Sequence, residues 1–159
     1  MPTIHLTTFI AAPTERVFDL SRSIELHKES MSRHQEEAVS GVRFGLIDKD
    51  ETVTWKGRHL FKRRLFRSKI TEMKKAVMFV DEQIEGDFRS FRHEHHFKPC
   101  DNGTIMIDLL HFEAPYGSFG RLFNRVYLTR YMKRLLEQRN LVLKEFAETD
   151  KWRALLQRQ

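Results

Sequence analysis

Hydrophobic and polar residues alternate over most of the first two thirds of the chain. Near the start, Ile4, Leu6, Thr8 and Ile10 fall on one face of an extended segment, and this period of two is typical of a strand. Pro13 then breaks the alternation and fits the first turn of a helix, where its missing N–H is not needed. Two short helices are predicted after this proline, before the alternation resumes.

A series of strand-like runs follows, rich in β-branched and aromatic residues. The predicted runs are Ala38–Val39, Thr52–Phe61, Leu65–Met73, Val77–Glu85, Phe88–Lys98 and Thr104–Ala114. Turn-forming and charged residues separate these runs, and Lys62–Arg64 is predicted as one of the turns. Because consecutive hairpin-joined strands form an antiparallel sheet, we predict a single antiparallel sheet here.

After Pro115 the spacing becomes helical and predicts one long helix over Gly120–Glu148, with Ser118 as its N-cap. The apolar positions of this helix are Leu128, Tyr131, Met132, Leu135, Val142, Leu143 and Phe146. A single sheet must cover its apolar face, and this helix is the large element left to do so. We therefore predict one α+β domain over residues 1–159. A curved antiparallel sheet of about six or seven strands would wrap around the C-terminal helix, with two short helices after the first strand.

Composition narrows the classes of protein. The chain has 159 residues, of which 40% are hydrophobic, and this is the usual size of a single domain. It carries both basic and acidic residues, with a net charge of +6. No run approaches the ~20 apolar residues of a membrane-spanning helix, and no secretory signal is visible. The lone Cys100 fits a reducing compartment. We expect a cytoplasmic protein, monomer or homodimer, with no cofactor and no bound metal.

The element order, together with Ala12-Pro13-x-Glu15-x-Val17-Phe18, resembles the START-like or SRPBCC superfamily, whose members have the helix-grip fold. That superfamily includes lipid-transfer domains and polyketide cyclases. Four stretches are similar to an uncharacterised bacterial branch sometimes labelled cell-division-inhibitor-like. They are Val53-Thr54-Trp55-Lys56, Phe79-Val80-Asp81-Glu82-Gln83, Phe91-Arg92-His93-Glu94-His95 and Phe112-Glu113-Ala114-Pro115-Tyr116-Gly117. The resemblance implies an internal cavity for a hydrophobic or amphipathic small molecule, and it supplies no catalytic residue.

One predicted strand carries the richest chemistry, because Phe91, His93, His95 and Phe97 share a face. Two imidazoles at alternate positions can contact the polar group of a ligand. A metal would need a further ligand, for which the candidates are His59, His111 and Glu113. A third interpretation is a structural hydrogen-bond network with Asp81, Glu82 or Thr54.

Neighbouring strands add aromatic and acidic residues to this picture. Trp55 and His59 share a face and would line a cavity or simply fill the core. One of Asp81 and Glu82 should point inward, and a buried carboxylate must be paired or protonated. Asp108, between Ile107 and Leu109, raises the same question.

The leading hypothesis is a non-catalytic protein that holds an amphipathic small molecule between sheet and helix. Its apolar wall would consist of Trp55, Phe79, Phe91, Phe97, Tyr131 and Leu135. Its polar contacts would come from His59, His93, His95 and one of Asp81 and Glu82. The alternative is an enzyme of the cyclase or hydrolase type, in which a His–carboxylate pair moves protons on a bound carbonyl compound.

The basic stretch around Lys62–Arg64 carries two aromatic residues, Phe61 and Phe66. Such a surface could stack nucleic-acid bases, contact anionic lipid, or be a solvated hairpin tip. No nucleic-acid-binding motif is present, so we expect no nucleic-acid partner, and contact with a membrane surface stays open. The sequence also lacks a glycine-rich phosphate loop and a G-x-S-x-G nucleophile motif.

Overall fold

The computed structural model describes residues 2–115 and 121–157, with side chains for 2–115 and 125–157. The elements follow the predicted order. They are β1 Thr3–Ile10, α1 Thr14–Ser21, α2 Ile24–Ser30, β2 Glu37–Gly41, β3 Thr52–His59, β4 Lys62–Lys74, β5 Met78–Glu85, β6 Ser90–Cys100, β7 Gly103–Glu113, α3 Arg121–Glu148 and α4 Trp152–Leu156. The predicted N-cap Ser118 and the residues Tyr116, Gly117 and Gly120 lie outside the described part of the chain.

Seven strands form one antiparallel sheet in the order β1-β7-β6-β5-β4-β3-β2. From β2 to β7, each strand pairs with the strand that follows it in the sequence. The first strand, β1, pairs with β7 at the other edge of the sheet. Bulges interrupt β2 at Val39, β4 at Thr71 and β5 at Ile84, where an extra residue bends the strand. The predicted α+β helix-grip architecture is confirmed.

The inner face of the sheet follows directly from alternation along the strands. In β7 every second residue is buried, from Thr104 through Met106 and Leu110 to Phe112. The first strand behaves as predicted, since Ile4 and Ile10 are buried and the intervening residues are less so. Two apolar clusters form on this face, one beside α1 and α2 and one beneath the first half of α3.

Local sequence explains how the short helices begin. Pro13 occupies the N-cap position of α1. The Ser23 hydroxyl caps α2 by accepting a hydrogen bond from the backbone N–H of Leu26 at 3.2 Å. Two short elements were not predicted, the 3-10 turn Ser32–His34 and α4. Within the described ranges, no helix is long and apolar enough to cross a membrane.

The prediction of a turn at Lys62–Arg64 was wrong. These residues begin β4, and the hairpin turn is the preceding pair, Leu60 and Phe61, between the paired residues His59 and Lys62. Both turn residues have positive φ angles, 50° for Leu60 and 68° for Phe61. A two-residue hairpin with a type I′ turn requires positive φ at both positions, but Asn and Gly usually occupy them, so composition did not reveal the turn.

Candidate functional site

A cavity of about 280 Å³ lies between the inner face of the sheet and helices α2 and α3. Its walls are largely apolar. Nine of the predicted site residues line it: Trp55, His59, Phe79, Asp81, Phe91, His93, His95, Tyr131 and Leu135. One end is open, since the lining residues Leu65, Asp87 and Pro115 at that end are exposed to solvent. We call this open end the mouth.

Two predicted site residues lie elsewhere. Alternation puts Glu82 on the outer face of β5, where its carboxylate is 3.3 Å from Nε of Arg92. Phe97 is buried in the core, with its ring centroid 5.3 Å from that of Phe18. Asp81 is therefore the inward-facing carboxylate of the pair considered from sequence.

The deepest polar group on the cavity wall comprises two histidines between two carboxylates, and we call it the inner cluster. Asp81 on β5, His93 and His95 on β6 and Asp108 on β7 face the same side of the sheet. His93 Nε2 is 2.9 Å from Asp108 Oδ1, and His95 Nε2 is 2.9 Å from Asp81 Oδ2. The two imidazole rings lie with centroids 3.8 Å apart.

Helix α3 completes the inner cluster from the opposite side. Asn140 donates a hydrogen bond from Nδ2 to Asp108 Oδ2 at 2.7 Å. Arg139 places Nη1 3.5 Å from Asp108 Oδ1 and donates another hydrogen bond to the carbonyl of Ser21. Both helix residues are buried. Sheet and helix thus meet through a connected polar network as well as through apolar packing.

The inner cluster favours ionised carboxylates and a neutral imidazole. Burial disfavours the charged form of Asp108, yet the hydrogen bond from His93 and the neighbouring imidazole of His95 outweigh it and hold the pKa well below its usual range. The pKa of Asp81 is likewise lowered, because the hydrogen bond from His95 and the nearby positive charges outweigh burial. Burial and the neighbouring His95 lower the pKa of His93.

A second polar group, the mouth cluster, lies on the same cavity wall and centres on Glu36. His27 Nε2 is 2.6 Å from Glu36 Oε2, and His59 Nε2 is 2.6 Å from Glu36 Oε1. The Nδ1 atom of His59 is 2.7 Å from the hydroxyl of Tyr131 on α3. The ring of His34 stacks on that of His59 with centroids 4.5 Å apart.

Charges within the mouth cluster set its proton positions. Burial disfavours the charged form of Glu36, but His27 and His59 lower its pKa to about 2. Burial and the nearby charge of Glu36 raise the pKa of Tyr131 to about 12. The tyrosine hydroxyl therefore keeps its proton. In the neutral tautomer in which His59 donates from Nε2 to Glu36, the hydroxyl of Tyr131 donates to Nδ1 of His59.

Gly57 makes room for the mouth cluster. A Cβ atom on Gly57 would lie 2.6 Å from Cγ of Glu36, closer than two carbon atoms can approach without a bond. A glycine on β3 therefore allows close packing against the side chain that binds both histidines.

Several residues of the two clusters were missed from sequence. His27 and Glu36 lie on α2 and in the segment before β2, so no spacing linked them to His59. For Arg139 a pattern existed, because it lies at helical spacing between the buried Leu136 and Leu143. A charged residue on the apolar stripe of a helix requires a buried partner, which here is Asp108.

The candidate metal ligands considered from sequence do not meet. His111 faces away and its Nδ1 lies 3.0 Å from the Thr3 hydroxyl, Glu113 pairs with Arg89, and His59 belongs to the mouth cluster. Asp81 is the residue that joins His93 and His95, and these three place one donor atom each within 4.8 Å of one another.

Comparison with known proteins agrees with this architecture. Residues 10–136 match the model of the family described as polyketide cyclase / dehydrase and lipid transport. No curated relative matches the chain.

Solved structures show the same fold at low sequence identity. A protein of Thermus thermophilus superposes with a TM-score of 0.74 at 20% identity, covering 91% of this chain and 95% of that one. The Zhui aromatase/cyclase of Streptomyces sp. R1128 gives 0.74 at 13% identity, covering 92% and 93%. A START superfamily protein of Mycobacterium smegmatis gives 0.65 at 10% identity, covering 92% and 97%.

Proposed function

Since the chain belongs to the polyketide cyclase / dehydrase and lipid transport family, we propose that it binds a hydrophobic or amphipathic small molecule in the cavity between sheet and α3. The supporting observation is a concave, mostly apolar space with two polar clusters on its wall. That combination is typical of small-molecule sites, in which apolar walls supply affinity and a few polar groups fix orientation. We further propose that residues 1–159 act as one ligand-binding domain in the cytoplasm, as a monomer or homodimer.

The lining indicates the chemistry of the ligand. Trp55, Phe79 and Phe91 offer aromatic surface, and its burial contributes about 25 cal/mol per Å². The imidazoles and carboxylates lie on the same wall, so they would contact hydroxyl, carbonyl or amino groups of the ligand. A flat ring system or an acyl chain with oxygen substituents fits this distribution of polar atoms better than a purely hydrocarbon molecule.

The two tryptophans of the chain allow a direct test of binding. Trp55 lines the cavity, whereas Trp152 lies on α4. The guanidinium carbon of Arg16 stands over the ring of Trp152, 4.2 Å from the ring centroid. In a Trp152→Phe variant, we expect the amphipathic dye anilinonaphthalene sulfonate to quench Trp55 fluorescence with a saturable, one-to-one profile. The matched Trp55→Phe variant retains Trp152 and should show little quenching.

Equal quenching in both variants, or none in either, would contradict binding in this cavity. Native mass spectrometry of the purified full-length protein provides a second measurement. A small molecule that co-purifies in stoichiometric amount and is released by denaturation would give the chemical class of the natural ligand.

A second candidate function is acid–base catalysis on a bound carbonyl compound. It is favoured by the direct hydrogen bonds of His93 to Asp108 and of His95 to Asp81 on the cavity wall. A histidine oriented by a carboxylate can take a proton from a substrate carbon and return it to an oxygen. If the double variant His93→Ala/His95→Ala turned over a substrate as fast as the wild type, this candidate would be eliminated.

A further inference from the structure

The inner cluster has the layout of a metal centre, with ligand atoms on one side of the imidazoles and a supporting carboxylate on the other. On the ligand side, Asp81 Oδ2 is 2.9 Å from His95 Nε2 and 3.9 Å from His93 Nδ1. Asp81 lies directly opposite His93 in the β5–β6 register, and His95 is the next residue of β6 on the same face. One donor atom from each of the three residues lies within 4.8 Å of the others, which brings them within reach of one small cation.

The supporting side is formed by one buried carboxylate. Asp108 Oδ1 is 2.9 Å from His93 Nε2 and 3.3 Å from His95 Nδ1, the nitrogens that do not face Asp81. Histidines that bind metals almost always donate their other ring N–H to a carboxylate or carbonyl, which fixes the tautomer and the ring orientation. Asn140 and Arg139 in turn hold Asp108.

Two further observations point to a missing positive charge. Among these side chains, two carboxylates face a single guanidinium. A buried carboxylate is costly unless cations or hydrogen-bond donors pair with it. In addition, Nδ1 of His95 is buried, and its contact with Asp108 Oδ1 at 3.3 Å does not have the geometry of a hydrogen bond. A cation on Nε2 would fix the proton on Nδ1, which then lies beside Asp108.

We propose that Asp81, His93 Nδ1 and His95 Nε2 bind one divalent first-row transition-metal ion, with Asp108 as the residue that positions both imidazoles. Two imidazoles and one carboxylate suit zinc or ferrous iron, and the nitrogen donors disfavour magnesium and calcium. Three protein ligands leave a coordination position facing the cavity, where the polar group of a bound molecule can reach it. This departs from the expectation of no metal made from sequence.

The test uses full-length, tag-free protein that has been stripped with a chelator and titrated with Co²⁺. We expect one equivalent to bind, with visible d–d absorption bands of a nitrogen- and oxygen-ligated ion. Asp81→Asn and His95→Gln should lose these bands. Asp108→Asn should keep their shape but weaken Co²⁺ binding about 10–100-fold, the usual effect of removing a supporting carboxylate.

His96 supplies a matched control on the same strand. It lies on the opposite face of β6 and its Nε2 is 2.9 Å from Glu94 Oε2, so it is also a His–carboxylate pair. His96→Gln should bind Co²⁺ as the wild type does. Failure of the wild type to bind one equivalent, or equal binding by Asp81→Asn and His95→Gln, would overturn the proposal.

A measurement on the wild type covers the case in which the variants do not fold. On addition of Zn²⁺, the ring ¹⁵N resonances of His93 Nδ1 and His95 Nε2 should move to metal-bound positions, and the other histidines should stay unchanged. No movement at these two rings would overturn the metal site. Dye quenching of Trp55 reports on the cavity itself, so the metal site can fail while the proposed ligand binding stands.

Discussion

At the scale of single residues, the carboxylate of Glu36 links separate segments of the chain. Its carboxylate binds His27 of α2 and His59 of β3, and His59 binds Tyr131 of α3. The interaction is nearly shielded from water, because the side chain of Glu36 is only 11% exposed. The proton on this carboxylate should therefore affect the stability of the whole fold.

We expect stability to fall in acid through Glu36. Its pKa is lowered from 4.5 to about 2, so the unfolded chain takes up this proton first. The contribution is fully present above about pH 4.5 and is lost as the pH falls toward 2. At 1.36 kcal/mol per pKa unit it amounts to about 3 kcal/mol.

Urea unfolding of the wild type and of Glu36→Gln across this pH range measures the contribution. The difference in unfolding free energy between the two should shrink as the pH approaches 2. Glu29→Gln, at an exposed position of α2, is the control and should track the wild type. A constant difference between wild type and Glu36→Gln would contradict the assignment.

At the scale of elements, the β3–β4 hairpin combines backbone strain with an exposed aromatic residue. Leu60 and Phe61 adopt positive φ angles that cost a non-glycine residue roughly 1–2 kcal/mol. Phe61 is 91% exposed and stands beside Lys62 and Arg63, while Leu60 lines the cavity. Strained residues persist mainly where they serve a function, and here an apolar tip between cations is typical of contact with an anionic membrane surface.

We predict that Phe61→Gly increases stability by about 1 kcal/mol and weakens binding to vesicles that contain phosphatidylglycerol. Glycine relieves the strain at the turn but removes the apolar side chain. Co-sedimentation at low and high salt measures the binding, and thermal unfolding measures the stability. Phe44→Gly is the control, since Phe44 is 74% exposed but lies outside the hairpin. Equal vesicle binding by wild type and Phe61→Gly would exclude this role.

Element order was predictable because strands and helices impose periods of two and 3.6 on the sequence. The strand containing His93 and His95 and the long helix were found in this way. The turn at Leu60 and Phe61 was not, because its residues contradict the usual chemistry of such turns. The pairing of Asp81 with His95 was one of several options from the sequence and could not be selected, because it depends on the register between β5 and β6.

At the scale of the whole molecule, the long helix serves as one wall of the cavity and as a support for the inner cluster. Leu136 and Leu143 are buried against the sheet, and Arg139 and Asn140 lie between them. The half-buried Leu135 faces the cavity. The cavity of about 280 Å³ between helix and sheet thus lies beside Leu135, while the buried apolar and polar contacts of α3 lie next to it.

We therefore predict that Leu135→Trp fills part of the cavity, so that ligand binding weakens while the stability of the fold is kept or increased. Filling an internal space commonly adds about 0.5–2 kcal/mol of stability, so the melting temperature should stay the same or rise. Binding of anilinonaphthalene sulfonate, measured by calorimetry, should weaken at least about tenfold, equivalent to 1.4 kcal/mol. Leu141→Trp is the control, because Leu141 is 68% exposed on the outer side of α3, and it should change neither quantity. A Leu135→Trp protein that is folded and binds the dye as tightly as the wild type would show that the dye, and by extension the ligand, is held elsewhere.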